Sequence, residues 1–309
     1  MSSCVLVTGG SGFIGTWVLH ELLAQGARAV VVDPHPALPR WRRVLGERAR
    51  EIALADATLT DPASLLKVIE QHQVTHIIHL AALLTPACQA DPFLGCQINV
   101  LGGTSVWEAA RLSNRVKSIS YASSYAVYGP ETGDNEALPN RPPTFYGAFK
   151  QAMDLIAEQY WRHFGISSVA VRPHVVYGPE RDVGLTAGPS LAAKAAARGE
   201  GYTIGYTGQV GYDYVEDVAK AFVRAAFECP PGSTVVDLPG EQATTEKFAR
   251  TIESVVPALH GQILVDGPAI PANIPPHPQY ITQLFPDWQV TSLADGVRRT
   301  VEFYRTPEH

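Results

Sequence analysis

Three observations on this 309-residue chain predict an α/β fold, a doubly wound parallel sheet with helices on both faces. Short apolar runs alternate with longer helical patterns, the first run passes into a glycine-rich turn, and an aspartate ends the second. Strands buried on both faces read as continuous apolar runs, and parallel neighbours need a helical crossover between them. The first run is Val5-Leu6-Val7, followed by a helix from about Gly12 to Ala24 that stops at Gly26, a residue suited to a helix end. Ala29–Val32 and Ile52–Leu54 are the next two strands, with a helix over Ser64–Gln71. His76–Leu80, Val116–Tyr121 and Val169–Val171 complete a set of six.

The pattern changes after about residue 175. Gly and Pro become dense, and Gly267–Pro278 (GPAIPANIPPHP) is too proline-rich for regular structure. Val215–Phe227 reads as a helix and Thr234–Leu238 as a strand that rejoins the first sheet. Ser292 caps a last helix carrying Leu293, Val297, Val301 and Tyr304 on one face. The expected organisation is a first domain over 1–174, with 212–240 returning to it. A smaller, mostly helical substrate-binding domain takes 175–211 and 241–309.

Hydrophobic residues make up 46% of the chain, charged ones 17%, and the formal net charge is −6, an ordinary balance for a soluble globular enzyme. No face is rich enough in Lys or Arg to predict a nucleic-acid partner. The densest basic stretch, Arg40, Arg42, Arg43, Arg48 and Arg50, reads as a solvated loop or helix face. Cys4, Cys88, Cys96 and Cys229 form no C-x-x-C pair, which suits reduced thiols better than disulfides or zinc. No apolar leader pattern or run long enough to span a bilayer stands out, so a cytoplasmic protein is expected, with no membrane partner.

Thr8-Gly9-Gly10-Ser11-Gly12-Phe13-Ile14-Gly15 sits where the first strand hands over to the first helix, and from Gly10 it reads G-x-G-x-x-G. Glycine is needed because a pyrophosphate must approach the backbone closely, while the helix N–H groups and dipole face the phosphates. Asp33 ends the second strand, where a carboxylate can accept bonds from the ribose hydroxyls and repel a 2′-phosphate. Together these predict a dinucleotide, NAD in preference to NADP, with Arg40, Arg42 and Arg43 near enough in sequence to hold a phosphate instead.

Tyr146 and Lys150 stand at i and i+4, which on a helix places phenol and ammonium one turn apart on one face. A lysine cation and a positive nicotinamide favour the phenolate, so the tyrosine can take a hydroxyl proton while hydride leaves the same carbon. Ser123-Ser124-Tyr125-Ala126-Val127-Tyr128-Gly129, at the end of the preceding strand, supplies a hydroxyl to hold the substrate oxygen.

On these residues the chain resembles an extended short-chain dehydrogenase/reductase of the NAD-dependent epimerase/dehydratase family. The resemblance is carried by TGGSGFIG, Asp33, Asp56, HLAA (79–82), Asn99, SSYAVYG, YGAFK, RPHVVYGP (172–179) and YVEDVA (214–219), in the family's order along nearly the whole chain. It implies a catalytic Ser124–Tyr146–Lys150 set, with Ser123 supporting. It implies a cofactor site of Gly9, Gly12, Phe13, Ile14, Gly15, Asp33, Ala55, Asp56, Leu80, Ala81, Ala82, Asn99, Tyr146, Lys150, Pro173 and Val176.

Two departures bear on the substrate. Nucleotide-sugar members carry an Asn where this chain has Val175, and an Arg followed by Asp where it has Val210 and Gly211. A diphosphate without its guanidinium is costly to hold. Tyr125 also replaces the acidic pair expected of a dehydratase. A smaller polyol, sugar or sugar-acid substrate is therefore expected, with Leu84, Thr85, Ser123, Ser124, His174 and Arg181 as candidate contacts. Arg181 reads either as a carboxylate anchor or as a surface charge, and His174 either enters the cleft or packs. His76 and His79 face opposite sides of one strand, so no metal site is expected.

An NAD-dependent oxidoreductase is the first reading of function. A sugar epimerase that keeps its NAD, acting on a nucleotide sugar or a free one, is the alternative, since both use the same residues. The resemblance also implies a homodimer that pairs the segments around Asn99–Leu112 and Tyr146–Phe164, the second of which carries more apolar residues than one face needs.

Overall fold

A computed structural model of the chain describes residues 3–129, 141–270 and 278–306. The apolar runs form β1 (Cys4–Thr8), β2 (Arg28–Val32), β3 (Ala53–Leu54), β4 (His76–His79), β5 (Ser118–Ala122) and β6 (Ser168–Arg172). Six further strands follow: β7 (Val175–Tyr177), β8 (Tyr202–Ile204), β9 (Gln209–Tyr214), β10 (Ser233–Asp237), β11 (Glu241–Thr244) and β12 (Ile263–Val265). The helices before residue 165 are α1 (Phe13–Ala24), α2 (Leu38–Leu45), α3 (Pro62–His72), α4 (Thr85–Ala90), α5 (Pro92–Cys96), α6 (Gly103–Ser113) and α7 (Phe145–Phe164). After it come α8 (Gly188–Ala197), α9 (Val215–Phe227), α10 (Thr245–Val255), α11 (Ile281–Leu284) and α12 (Leu293–Arg305). Residues 271–277, inside the proline-rich Gly267–Pro278 stretch, lie outside the described residues.

The main sheet has the order β10-β6-β5-β4-β1-β2-β3, with every neighbouring pair parallel. The strand order reverses between β1 and β4. A crevice opens there beyond the carboxyl ends of the strands, the place where doubly wound sheets bind ligands. Helices α1 and α9 pack against each other on one face, and α3 and α6 pair on the other. The strand expected over Thr234–Leu238 is β10, and it joins the sheet edge beside β6.

The later part of the chain is less helical than its composition suggests. A three-stranded sheet β11-β9-β7 and a two-stranded sheet β12-β8 lie among α8, α10 and α12. These strands are three to six residues long, too short for a clear period-two pattern. One buried apolar cluster runs from Val5 and Trp17 through Tyr212 and Phe222 to Phe248 and Val301. Among the described residues no helix is long and apolar enough to cross a membrane.

Candidate active site

The cradle for a dinucleotide starts where β1 meets the crevice. Gly9 has φ +71°, and a Cβ on it would stand 2.7 Å from the Ala81 nitrogen, so the turn lies against the exit of β4. A Cβ on Gly15 would meet the Gly9 carbonyl oxygen at 2.3 Å. The turn and α1 are therefore in contact at positions that admit only hydrogen, leaving the first N–H groups of α1 facing the crevice. Gly12 caps that helix, with Phe13 and Ile14 in its first turn. Asp33 is fixed by two backbone donors, Ser11 N at 3.0 Å and His35 N at 2.9 Å, which hold its carboxylate at the end of β2. A cradle that a Cβ would fill, beside a fixed carboxylate, fits a pyrophosphate and an adenosine ribose.

Arg40 and Arg43 do not form the solvated face expected of them. Arg43 pairs with the buried Glu180 carboxylate (3.0 and 2.5 Å), and Arg40 bonds Asp182 (2.7 Å) and the Ser11 carbonyl (2.8 Å). Trp41 Nε1 donates to the Gly10 carbonyl at 3.1 Å. Helix α2 thus braces the glycine-rich turn and ties it to the 179–182 segment. Contacts across some 140 residues leave no signal in sequence spacing.

On the other side of the cradle, Leu80 N donates to the Thr8 carbonyl and Ala81 N to its Oγ1, whose other partner is His79 Nδ1 at 2.7 Å. Burial pulls the His79 imidazole down to about 3, so it is neutral. Asn99 sits in a π-helical turn (Gln97–Gly102). Its amide pins the Leu83 backbone from both ends, at 2.7 and 2.9 Å, which sets the course of Leu80–Ala82. Ala55 continues β3 by donating to Val31 O, and Asp56 follows it, exposed. Pro173 is buried and accepts from Tyr125 N, while Val176 lies inside β7.

The catalytic candidates meet at the carboxyl end of β5. Ser124 caps a single 3-10 turn (Tyr125–Val127), its Oγ accepting from Ala126 N at 3.1 Å. Thr144 caps α7 through the Gly147 N–H, and Tyr146 and Lys150 lie in the helix's first two turns. The Lys150 ammonium stands 5.5 Å from the Tyr146 ring centroid and donates to the Ala122 carbonyl at 2.6 Å. Burial pushes the Tyr146 phenol up to about 12, against the Ser124 hydroxyl bonded to it and the Arg181 charge, which both pull it down. Burial likewise draws the Lys150 ammonium down to about 8.

Ser123 does not line the cleft. It is 2% exposed, and its Oγ donates to Asp154 Oδ2 at 2.9 Å. The same carboxylate accepts from Arg172 Nη2 at 2.5 Å and from the Tyr121 hydroxyl at 3.1 Å. Arg172 also donates to the Tyr128 hydroxyl, which passes a bond on to Asp237. This buried network fixes the Ser123-Ser124 corner from below. Sequence reading missed it, although Asp154 follows Lys150 by one helical turn on the same face.

His174 packs on the Tyr125 ring at 4.7 Å between centroids, and its backbone N–H donates to Asp213 at 2.7 Å. Burial pulls its imidazole down to about 4. Thr85 opens α4, and Leu84, just before it, is exposed at the rim. Val175 and Val210 are 5% and 1% exposed and belong to the apolar core.

Comparison with known proteins agrees with this geometry. The profile of the NAD dependent epimerase/dehydratase family matches residues 5–235. A UDP-glucose 4-epimerase of Mycolicibacterium smegmatis is 29% identical over 316 aligned positions, covering 97% of this chain and 98% of that protein. UDP-glucuronate 4-epimerase 3 of Arabidopsis thaliana is 30% identical over 241 positions, covering 72% of this chain and 54% of the relative. Among solved structures, the UDP-glucose 4-epimerase of Thermus thermophilus in complex with NAD superposes with a TM-score of 0.77 at 25% identity, covering 98% and 99% of the two chains. With the dinucleotide cradle and the Ser-Tyr-Lys set in place, the chain belongs to the NAD-dependent epimerase/dehydratase family and is an enzyme of the extended short-chain dehydrogenase/reductase type.

Proposed function

We propose that this enzyme is a sugar epimerase that retains NAD and inverts one secondary carbinol by oxidation and re-reduction. The observation that carries the reading is the convergence of Ser124, Tyr146 and Lys150 on the crevice beside the glycine-rich turn. The full-length similarity to UDP-sugar 4-epimerases supports it. Gly9, Gly12, Phe13, Ile14 and Gly15 would hold the pyrophosphate, Asp33 the adenosine ribose, and Leu80–Ala82 with Asn99 behind them the middle of the cofactor. NAD, when bound, supplies the hydride acceptor and donor and a positive ring that favours the Tyr146 phenolate.

Ser124 Oγ holds the substrate hydroxyl oxygen, and the Tyr146 oxygen takes its proton as the C–H bond is broken. Lys150, fixed on the Ala122 carbonyl, keeps a cation beside the phenol. Inversion would require the ketone to present its other face before it is reduced, and Tyr146 would then give the proton back to oxygen, so that the two forms differ only in configuration. Residues 175–211 and 241–306 serve as the substrate lobe in this reading.

Tyr146→Phe should lower turnover by about three orders of magnitude while NAD affinity changes less than about threefold. Undiminished turnover in that variant would remove the proposed mechanism. A net dehydrogenase for a small hydroxylated substrate is a second reading, favoured by the apolar burial of Val175 and Val210. Accumulation of reduced cofactor separates the two.

A homodimer is part of the same proposal. Leu101, Leu112, Leu155 and Phe164 stand 44–57% exposed on and beside α6 and α7, apolar side chains that a second copy of the chain would cover. A monomer by sedimentation at micromolar concentration would contradict it.

A further inference from the structure

Arg181 is a cation held at the active site without a carboxylate partner among the described residues. Its neighbours in sequence are both acidic, yet both are engaged elsewhere. Glu180 is buried and bonded to Arg43, and Asp182 is bonded to Arg40. Glu180 has φ +73°, its N–H donates to the Tyr304 hydroxyl at 2.6 Å, and Trp17 Nε1 donates to the Pro179 carbonyl at 3.0 Å. The backbone just before Arg181 is pinned at both residues, and the Arg181 side chain takes partners other than those of Glu180 and Asp182. Its Nη2 donates to Thr186 Oγ1 at 2.6 Å, and its guanidinium carbon stands 6.0 Å from the Phe13 ring centroid. Its charge is felt by the Tyr146 and Tyr206 phenols, both of which it pulls down. Burial pulls it down to about 10, which still leaves it charged at neutral pH.

Beside the guanidinium lie the Thr186 hydroxyl and the Phe13 ring, with Leu84 across Gly184. Leu84, Val183 and Leu185 are exposed, and Gly184 (φ +106°) lies where a Cβ would stand 3.6 Å from Leu84 Cδ1 and 3.7 Å from Arg181 Nη2. A largely buried guanidinium whose hydrogen bond among the described residues goes to a neutral hydroxyl is unfavourable until an anion meets it, and its planar fork matches one carboxylate. A diphosphate, with more charge, needs further donors.

We infer that the substrate is a free sugar acid whose own carboxylate docks on Arg181, so that binding is anchored by that anion and not by a nucleotide diphosphate. The inference rests on the proposed carbinol chemistry only in taking Tyr146 to mark the reacting carbon.

Calorimetric titration of the NAD-loaded protein tests it. The probes are D-glucuronate, D-galacturonate, D-gluconate and L-threonate, each against its uncharged counterpart, with UDP and UDP-glucose alongside. At least one acid should bind roughly tenfold or more tighter than its neutral counterpart. Arg181→Gln should erase that preference, Arg181→Lys should restore part of it, and NAD affinity should hold within about threefold in both. Any of three results would overturn the inference. In the first, no acid outranks its counterpart; in the second, UDP or UDP-glucose binds tighter than every acid. In the third, Arg181→Gln weakens NAD while leaving the acid preference intact, which assigns the guanidinium to the cofactor. The acid preference should persist in Tyr146→Phe, so failure of the carbinol chemistry and failure of the anion site give different results.

Discussion

Removing the Asp154 carboxylate should be among the most damaging single changes to this chain, at no direct cost to either ligand. Its oxygens accept from Arg172 Nη2 at 2.5 Å, Ser123 Oγ at 2.9 Å and the Tyr121 hydroxyl at 3.1 Å. The side chains of the ion pair are only 8% and 11% exposed. In Asp154→Ala the guanidinium stays buried, with Tyr128 as its chief remaining acceptor. Stranding one partner of a buried pair costs about 3–5 kcal/mol, a large share of the 5–15 kcal/mol typical of a native fold. At roughly 2–4 °C per kcal/mol for chains of comparable size, the melting temperature should fall by about 10 °C. Urea denaturation monitored by tryptophan fluorescence, with and without NAD, measures the loss. Replacing both partners, Asp154→Leu with Arg172→Met, should cost less than the sum of the single changes, because neither member of the pair stays buried without the other. A loss under about 1 kcal/mol in Asp154→Ala, the range of an exposed pair, would refute the reasoning. So would strict additivity in the double variant.

Other consequences follow from the same contacts. Gly15→Ala places a methyl 2.3 Å from the Gly9 carbonyl oxygen, so the turn must shift. Overpacking of about 1–3 kcal/mol should appear as lost stability and at least about tenfold weaker NAD binding by fluorescence titration. Because burial draws Lys150 down to about 8, the unfolded chain binds more protons than the folded one between about pH 8 and 10.4. Its contribution to stability therefore rises with pH across that window, and Lys150→Met should flatten the difference in a pH series of denaturation curves. An unchanged slope would contradict the burial assigned to it. Leu155→Glu with Phe164→Glu should yield a folded monomer by sedimentation if the proposed dimer face is right.

Much of the scaffold was legible because each signal was local. The five-residue apolar strands, the turn Thr8–Gly15, Asp33 and the Tyr146–Lys150 spacing each express a constraint met within a few residues. Helix α9 was read at its full extent, Val215–Phe227, from its apolar period. What escaped was set by distant partners. Arg40 and Arg43 look like a solvated face until the fold brings Glu180 and Asp182 against them. Ser123 looks like a second catalytic hydroxyl until Asp154 and Arg172 claim it from beneath. The strands β7, β8, β9, β11 and β12 are too short for periodicity, and long-range packing decides them. The substrate lay furthest from reach, because Val175 and Val210 report only which contacts are missing.

The fate of the cofactor during turnover tests the central claim most directly. Purified protein is extracted to count the NAD it carries, then mixed with the sugar acids and UDP-sugars while reduced nicotinamide absorbance and the configuration of the product are followed. An epimerase with retained NAD predicts near-stoichiometric bound cofactor, conversion to the epimer without added NAD, and no build-up of NADH. Protein that arrives without cofactor, needs added NAD and forms one NADH for each product molecule would contradict it and leave a net dehydrogenase.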